Sequence, residues 1–222
     1  MNEEMNNKIF GVYKPKGPSS YWAVSQIKKM SGIKKVGHAG TLDPLASGVL
    51  VIAVGREATK KIAESVQKEK EYIAEIELGA TSETDDGEGP IIKTPKHKNI
   101  KTKKAMGRPS MQDIQMILKN FVGEIDQVPP IYSAIKIAGQ RAYKVARQGQ
   151  KPEMKSRKVL IKEIEILDYV WPILKIKVVT GPGVYIRSLA RDIGDALGCG
   201  AYMKELERTR VGEFTKEDCI LL

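Results

Sequence analysis

The chain has 222 residues, 41% hydrophobic and 29% charged, ordinary proportions for a protein that buries a core. Lys and Arg number 37 against 27 Asp and Glu, a formal charge of +10 that favours a polyanionic partner, most commonly nucleic acid. No run approaches the ~20 apolar residues of a membrane span, and Cys199 and Cys219 are too few for a disulfide framework, which together favour a cytosolic protein.

The opening KIFGVYKPKGPSS reads as a short strand that turns through Lys14-Pro15-Lys16-Gly17-Pro18. Ser19 or Ser20 then caps an amphipathic helix over Tyr21–Met30. In GHAGTLDPLASGVLVIAVG, Gly37 to Gly55, Asp43-Pro44 reads as an N-cap with proline at the first helical position. A helical turn over Pro44–Ser47 is expected, leading into a strand at Val49–Val54 that Gly55 ends.

A helix is expected over Glu57–Val66, then a strand over Lys70–Gly79 with Tyr72, Ala74, Ile76 and Leu78 on one face. Thr81–Gly89, TSETDDGEG, is an acidic turn. Lys93–Arg108 holds no acid and reads as an exposed loop, either a solvated linker or an RNA-touching flap. Ser110–Phe121 has helical period through Met111, Ile114, Ile117 and Leu118, with Ser110 as its cap.

QVPPIYSAIKIAGQRAYKVARQG begins extended, turns at Gly139 and finishes as a helix over Arg141–Gln148. Strands at Ser156–Tyr169 and Ile173–Thr180 precede a turn at Gly181–Gly183 and a helix over Tyr185–Leu197. The tail is expected to hold a short helix around Ala201–Leu206 and a final strand. Interleaved helices and apparent hairpins predict an α+β fold, with a mixed, largely antiparallel sheet flanked by helices. Without a linker or internal repeat, one domain over residues 1–222 is expected.

The familiar catalytic kits are missing from this sequence. There is no Gly-x-Gly-x-x-Gly fingerprint, no P-loop and no Gly-x-Ser-x-Gly elbow. His38 and His97 lack metal-ligand spacing with other soft ligands, so neither cofactor nor metal is implied. What stands out is a set of separated polar residues in apolar or glycine-rich settings: Asp43, Tyr72 and Arg187. Each has an ordinary structural reading as well, namely a cap for Asp43, a core side chain for Tyr72 and a helix-surface residue for Arg187.

Four segments together resemble the TruB family of tRNA pseudouridine synthases. They are KPKGPSS, with Ser19 where the family usually has Thr, VGHAGTLDPLASGVLVIAVGREATK, QVPPIYSAIKIAGQRAYKVARQG, and GVYIRSLARDIGDALGCGAYMKELERTRVGEF. The resemblance implies the pseudouridine synthase catalytic fold and isomerisation of uridine 55 in the T-loop of tRNA, without cofactor or metal. It makes Asp43 the catalytic carboxylate, Arg187 its cationic partner, and Tyr72 the ring that stacks on the target uracil and assists proton removal from C5.

His38 then helps hold the T-loop open around the everted nucleotide, Leu206 walls the base, and Tyr132 and Lys136 line the cleft. Lys14, Lys136 and the Lys93–Arg108 loop are the expected phosphate contacts. The family's Thr-Asp-Thr-x-Asp turn appears as Ser82-Glu83-Thr84-Asp85-Asp86, and Glu207 stands where a basic residue is frequent. The PUA domain often appended in the family is expected to be lacking. The implied partner is the tRNA T-arm stem-loop, with no membrane or small-molecule cofactor and a monomer by default. Two alternatives stand beside this reading: a non-catalytic tRNA-binding or folding module, and an isomerase acting on uridine in another RNA.

Overall fold

Strict alternation in KEYIAEIEL produces a strand whose even-numbered residues, Lys70 to Leu78, are buried while the odd ones are half-exposed. This and the other elements are seen in a computed structural model, which describes residues 5–93, 108–137 and 139–222. The basic stretch expected to contact RNA lies, over residues 94–107, outside the described residues.

In chain order the elements begin with β1 (Ile9–Lys14), α1 (Ser20–Ser31), β2 (Val36–Ala39), β3 (Ser47–Val54), α2 (Arg56–Lys61) and α3 (Ala63–Val66). They continue with β4 (Lys70–Leu78), β5 (Ala80–Ser82), β6 (Ile91–Lys93), α4 (Met111–Leu118) and a 3-10 turn over Lys119–Phe121. Next come β7 (Gly123–Gln127), β8 (Lys136–Ile137), β9 (Gln140–Arg141), α5 (Ala142–Arg147), β10 (Arg157–Val170) and β11 (Ile173–Thr180). The chain closes with α6 (Ile186–Ala196), β12 (Ala201–Val211), β13 (Phe214–Thr215) and β14 (Ile220–Leu221).

Two compact units emerge: Met1–Ile73 with Val178–Pro182 and Glu205–Leu222, and Ala74–Lys177 with Gly183–Lys204. In the first unit the strand order is β14-β1-β3-β12-β4, with β2 also on β3 and β13 on β12. The β1–β3 and β2–β3 pairs are antiparallel, whereas β14 joins β1 and β12 joins β3 in parallel. Helix α1 buries Ala23, Val24 and Ile27 in a core with Val12, Leu50, Ile52 and Val54. Each such side chain contributes about 1.5–3 kcal/mol on full burial when it is a large aliphatic. In the second unit the order is β4-β11-β10-β7, and α6 buries Ile186, Leu189, Ala190 and Ile193. The expected α+β class with a largely antiparallel sheet is what the structure has.

Some local expectations need correction. The Ala201–Leu206 segment is not helical but the start of β12, an eleven-residue strand. Its helix-forming residues are overridden by the place of β12 in the sheet, where it lies beside β4 and β3. The helix expected over Glu57–Val66 is two short helices that part at Ile62. Pro44–Ser47 forms a turn rather than a helical turn, and β3 already begins at Ser47.

Candidate active site

The segment from Gly40 to Val49 is fastened at almost every residue around Asp43, all within the first unit. Leu42 and Ala46, on either side of Asp43, are buried in the α1–β3 core. The backbone closes a turn, with the Ala46 amide donating to the Asp43 carbonyl at 3.1 Å. Asp43 itself stays half-buried while its neighbours Leu42 and Ala46 are held in the core.

The KPKGPSS segment supplies the next two fastenings. The Gly17 amide donates to the Pro44 carbonyl at 2.8 Å. Ser20 Oγ donates to the Leu42 carbonyl and accepts from the Leu42 amide, both at 2.8 Å. Ser19 caps α1 by accepting from the Trp22 amide, which leaves Ser20 for this second task. Because Ser20 is buried, its loss would strand two main-chain groups away from water, each costing about 1–3 kcal/mol. Ser20→Ala is therefore expected to lower stability by about 2–3 kcal/mol, read as a reduced urea midpoint at unchanged slope. Ser19→Ala should cost only the ordinary ~1 kcal/mol of a helix cap.

Lys14 departs from its expected role at a phosphate. It is fully buried, and its ammonium donates to the Pro15 carbonyl at 2.9 Å and the Pro18 carbonyl at 2.8 Å. It organises the very turn that reaches Pro44. The lysine folds back into its own loop instead.

A cationic cluster lies on the other side of the segment. Arg208 in β12 is almost fully buried, donating from Nε to the Val49 carbonyl at 2.8 Å and from Nη2 to the Gly40 carbonyl at 2.7 Å. Gly40 has a positive φ of 69°, and a Cβ there would meet Arg208 Nη1 at 3.4 Å and Lys70 Cε at 3.7 Å. Burial, and then the Arg208 charge, pull the Lys70 ammonium down to about 8. The same two causes, burial first, lower the pKa of His38. A neutral His38 suits stacking or hydrogen bonding to a base, and its buried Nδ1 has no hydrogen-bond partner among the described residues.

The Lys70 shift has a defined consequence for stability. Its folded pKa of about 8 lies below the ordinary 10.5, so the unfolded chain binds more protons between those values and stability rises with pH. Wild type is expected to gain stability relative to Lys70→Met as pH rises from 8 to 10.5, and to gain nothing below 8. Urea unfolding of both proteins at matched pH values checks this. A difference that stays flat across that window would contradict it.

In the second unit, Arg187 on α6 is buried at the start of its helix. Its Nη1 lies 3.3 Å from Asp86 Oδ2 and donates to the Thr84 carbonyl at 3.2 Å, while Nη2 donates to the Tyr132 carbonyl at 3.0 Å. Asp86 is buried too, accepting from Thr84 Oγ1 at 2.5 Å and from the Glu88 amide at 3.0 Å. Next along the turn, Asp85 holds Arg191 at 2.7 Å with a left-handed φ of 62°. Burial raises the pKa of Asp85, against the opposing pull of Arg191 and Arg187. The acidic turn is thus the socket of the Arg187 helix, and Asp86 is a residue that the sequence left without a role.

Tyr72 is buried on β4. Leu206 is half-buried and packs against the core that holds Leu42 and Ala46. Tyr132 meets Arg187 through its carbonyl, and Lys136 is exposed on β8. Glu207 accepts from the Tyr13 hydroxyl at 3.0 Å and sits 3.6 Å from Lys216 Nζ. No group of three or more His, Cys, Asp or Glu with metal-binding geometry occurs among the described residues.

Comparison with known proteins places this chain in a family. Residues 28–186 match the N-terminal domain model of the TruB family of pseudouridylate synthases, and 187–222 match the tRNA pseudouridylate synthase B C-terminal domain. A protein named tRNA pseudouridine synthase B from Parabacteroides distasonis is 47% identical over 186 residues, covering 84% of this chain and 75% of that one. Its namesake from Phocaeicola vulgatus is 44% identical, covering 93% of this chain and 86% of the relative.

Among solved structures, the crystal structure of a Cbf5–Nop10–Gar1 complex is similar with a TM-score of 0.73 and 31% identity, covering 99% of this chain and 54% of that one. An H/ACA RNP bound to a substrate RNA containing 2′-deoxyuridine gives a TM-score of 0.70 and 28% identity, covering 99% and 52%. The chain spans about half the length of those solved chains. On the match of its family model to most of the sequence, the chain belongs to the TruB family of pseudouridylate synthases.

Proposed function

We propose that the protein isomerises uridine to pseudouridine at position 55 in the T-loop of tRNA, with Asp43 as the catalytic carboxylate. The observation that carries this reading is the half-buried Asp43 on a segment fastened by Leu42, Ala46, Ser20, Gly17 and Arg208. A loop held so firmly aims one acidic side chain, which is what a reaction at a single sugar carbon demands. The family membership and the names of the curated relatives supply the substrate class.

The reaction breaks the N1–C1′ bond, turns the uracil and rejoins it through C5. A carboxylate beside C1′ serves this chemistry either by attacking the sugar carbon or by taking a proton from the sugar. Tyr72 and Arg187 complete the proposed catalytic set. His38, Leu206, Tyr132 and Lys136 are the proposed substrate contacts, with the T-arm as the RNA element recognised by shape. The excess of cations in the sequence suits that polyanion, and neither cofactor nor metal enters the chemistry.

Transfer RNA carrying tritium at C5 of uridine tests the proposal, because rejoining through C5 expels that label. Release of about one tritium per tRNA is expected. Reverse-transcription mapping should then place the new pseudouridine in the T-loop. Tight binding of the T-arm without release would favour a non-catalytic module, and modification elsewhere would favour a different RNA.

A further inference from the structure

Two hydrogen bonds from one buried side chain span the segment that carries Asp43. Arg208 Nη2 donates to the carbonyl of Gly40 and Nε to the carbonyl of Val49, residues at the two ends of that segment. The guanidinium is planar and rigid, so it fixes the spacing of the two carbonyls that it bridges. We propose that Arg208 is a positioning residue for the reaction: it clasps the Gly40–Val49 segment at both ends and so sets where the Asp43 carboxylate points. The inference rests on the catalytic reading of Asp43 above.

The main chain is shaped around this contact. Strands β12 and β3 pair in parallel with Arg208 opposite Gly48. Gly48 has a φ of 113°, and a Cβ there would lie 2.2 Å from the Arg208 carbonyl oxygen, so only glycine lets the strands approach this closely. On the far side, bare Gly40 leaves room for the guanidinium, as its own missing Cβ would sit 3.4 Å from Nη1.

Burial argues against a contribution to stability alone. Arg208 is 2% exposed, and its hydrogen-bond partners are neutral carbonyls. A buried charge satisfied in this way gains little over an apolar side chain of the same volume. What an apolar replacement cannot do is bridge two carbonyls. Lysine cannot do so with the same geometry either, since its single ammonium lacks the planar fork.

The test compares wild type with Arg208→Lys and Arg208→Gln in three measurements on the full chain. These are single-turnover tritium release from tRNA, tRNA affinity by filter binding, and amide hydrogen exchange of the peptide over residues 38–48. Both variants are expected to slow release by about a hundredfold, the order of a roughly 1 Å misplacement of a reacting group. Affinity for tRNA should stay within about threefold, since Arg208 is buried and presents almost no surface to a ligand. Exchange in the 38–48 peptide should quicken by at least about tenfold, while peptides from α6 keep their wild-type protection.

Each contrary result overturns the proposal. Slowed release with unchanged exchange would show that Arg208 acts on the reaction by another route. Weakened affinity with preserved release would make it an RNA contact, and wild-type release rates would leave it without a role in aim. Failure of both variants to fold would make Arg208 a folding residue and reject the positioning role. The outcome is separable from that of the functional reading: if wild type itself releases no label, the isomerase assignment fails, and the exchange measurement still judges the clasp.

Discussion

Asp43→Asn is expected to abolish label release from tRNA while leaving the fold and tRNA affinity close to wild type. The substitution keeps the shape of the side chain and removes only its charge and basicity. The fastenings described above are made by the main chain or by other residues: the Ala46 amide to the Asp43 carbonyl, Ser20 to Leu42, Gly17 to Pro44, and Leu42 and Ala46 in the core. None of these depends on the carboxylate. Loss of the group that acts on the sugar carbon is expected to cost at least about 10⁴ in the single-turnover rate constant, some 5 kcal/mol of barrier. An unchanged thermal midpoint would show that the loss is chemical. Residual release above about one part in a hundred would exclude Asp43 as the essential carboxylate.

The same segment shows which parts of the site can be read from a sequence. Its turn chemistry is local, with glycines at 37, 40 and 48 and proline at 44, so the chain declares where it bends and which side chain the bend offers. Strand β4 was equally legible, since alternation with a period of two admits one face assignment. For α4 the Ser110 cap was visible, and the structure adds the reciprocal bond that the Ser110 amide donates to the Asp113 carboxylate.

Illegible features share a physical cause: their partners are remote in sequence. Arg208 lies in ELERTR and Asp86 in TSETDDGEG, strings of charge that look like solvated surface. Only the fold reveals Arg208 against Gly40, 168 residues away, and Arg187 against Thr84 of the acidic turn, 103 away. Lys14 misled in the opposite sense, because an ammonium satisfied by its own turn leaves no mark that distinguishes it from an exposed one. Ser19 and Ser20 were interchangeable as caps on paper, and the structure divides their labour between α1 and Leu42. In β12 the intrinsic preference of AYMKEL for helix lost to strand pairing within the sheet, a contest decided by non-local contacts.

Asp86→Asn is expected to be among the most destabilising conservative changes in the second unit, at about 3–5 kcal/mol. The pair it breaks is buried on both sides, with side-chain exposures of 7% for Arg187 and 2% for Asp86 at a separation of 3.3 Å. An asparagine retains an acceptor for the Thr84 hydroxyl and the Glu88 amide, so local geometry survives while the buried guanidinium loses the carboxylate charge 3.3 Å away. If the cost comes from weakening that ion pair, removing the cation as well should recover much of it. Arg187→Met in the Asp86→Asn background is therefore expected to be less destabilised than the sum of the single variants by about 2 kcal/mol or more, read from urea unfolding of all four proteins. Because Arg187 also holds the Thr84 and Tyr132 carbonyls, recovery stops short of complete. Strict additivity would show that the two charges do not depend on one another, and that the acidic turn orders its helix through hydrogen bonds alone.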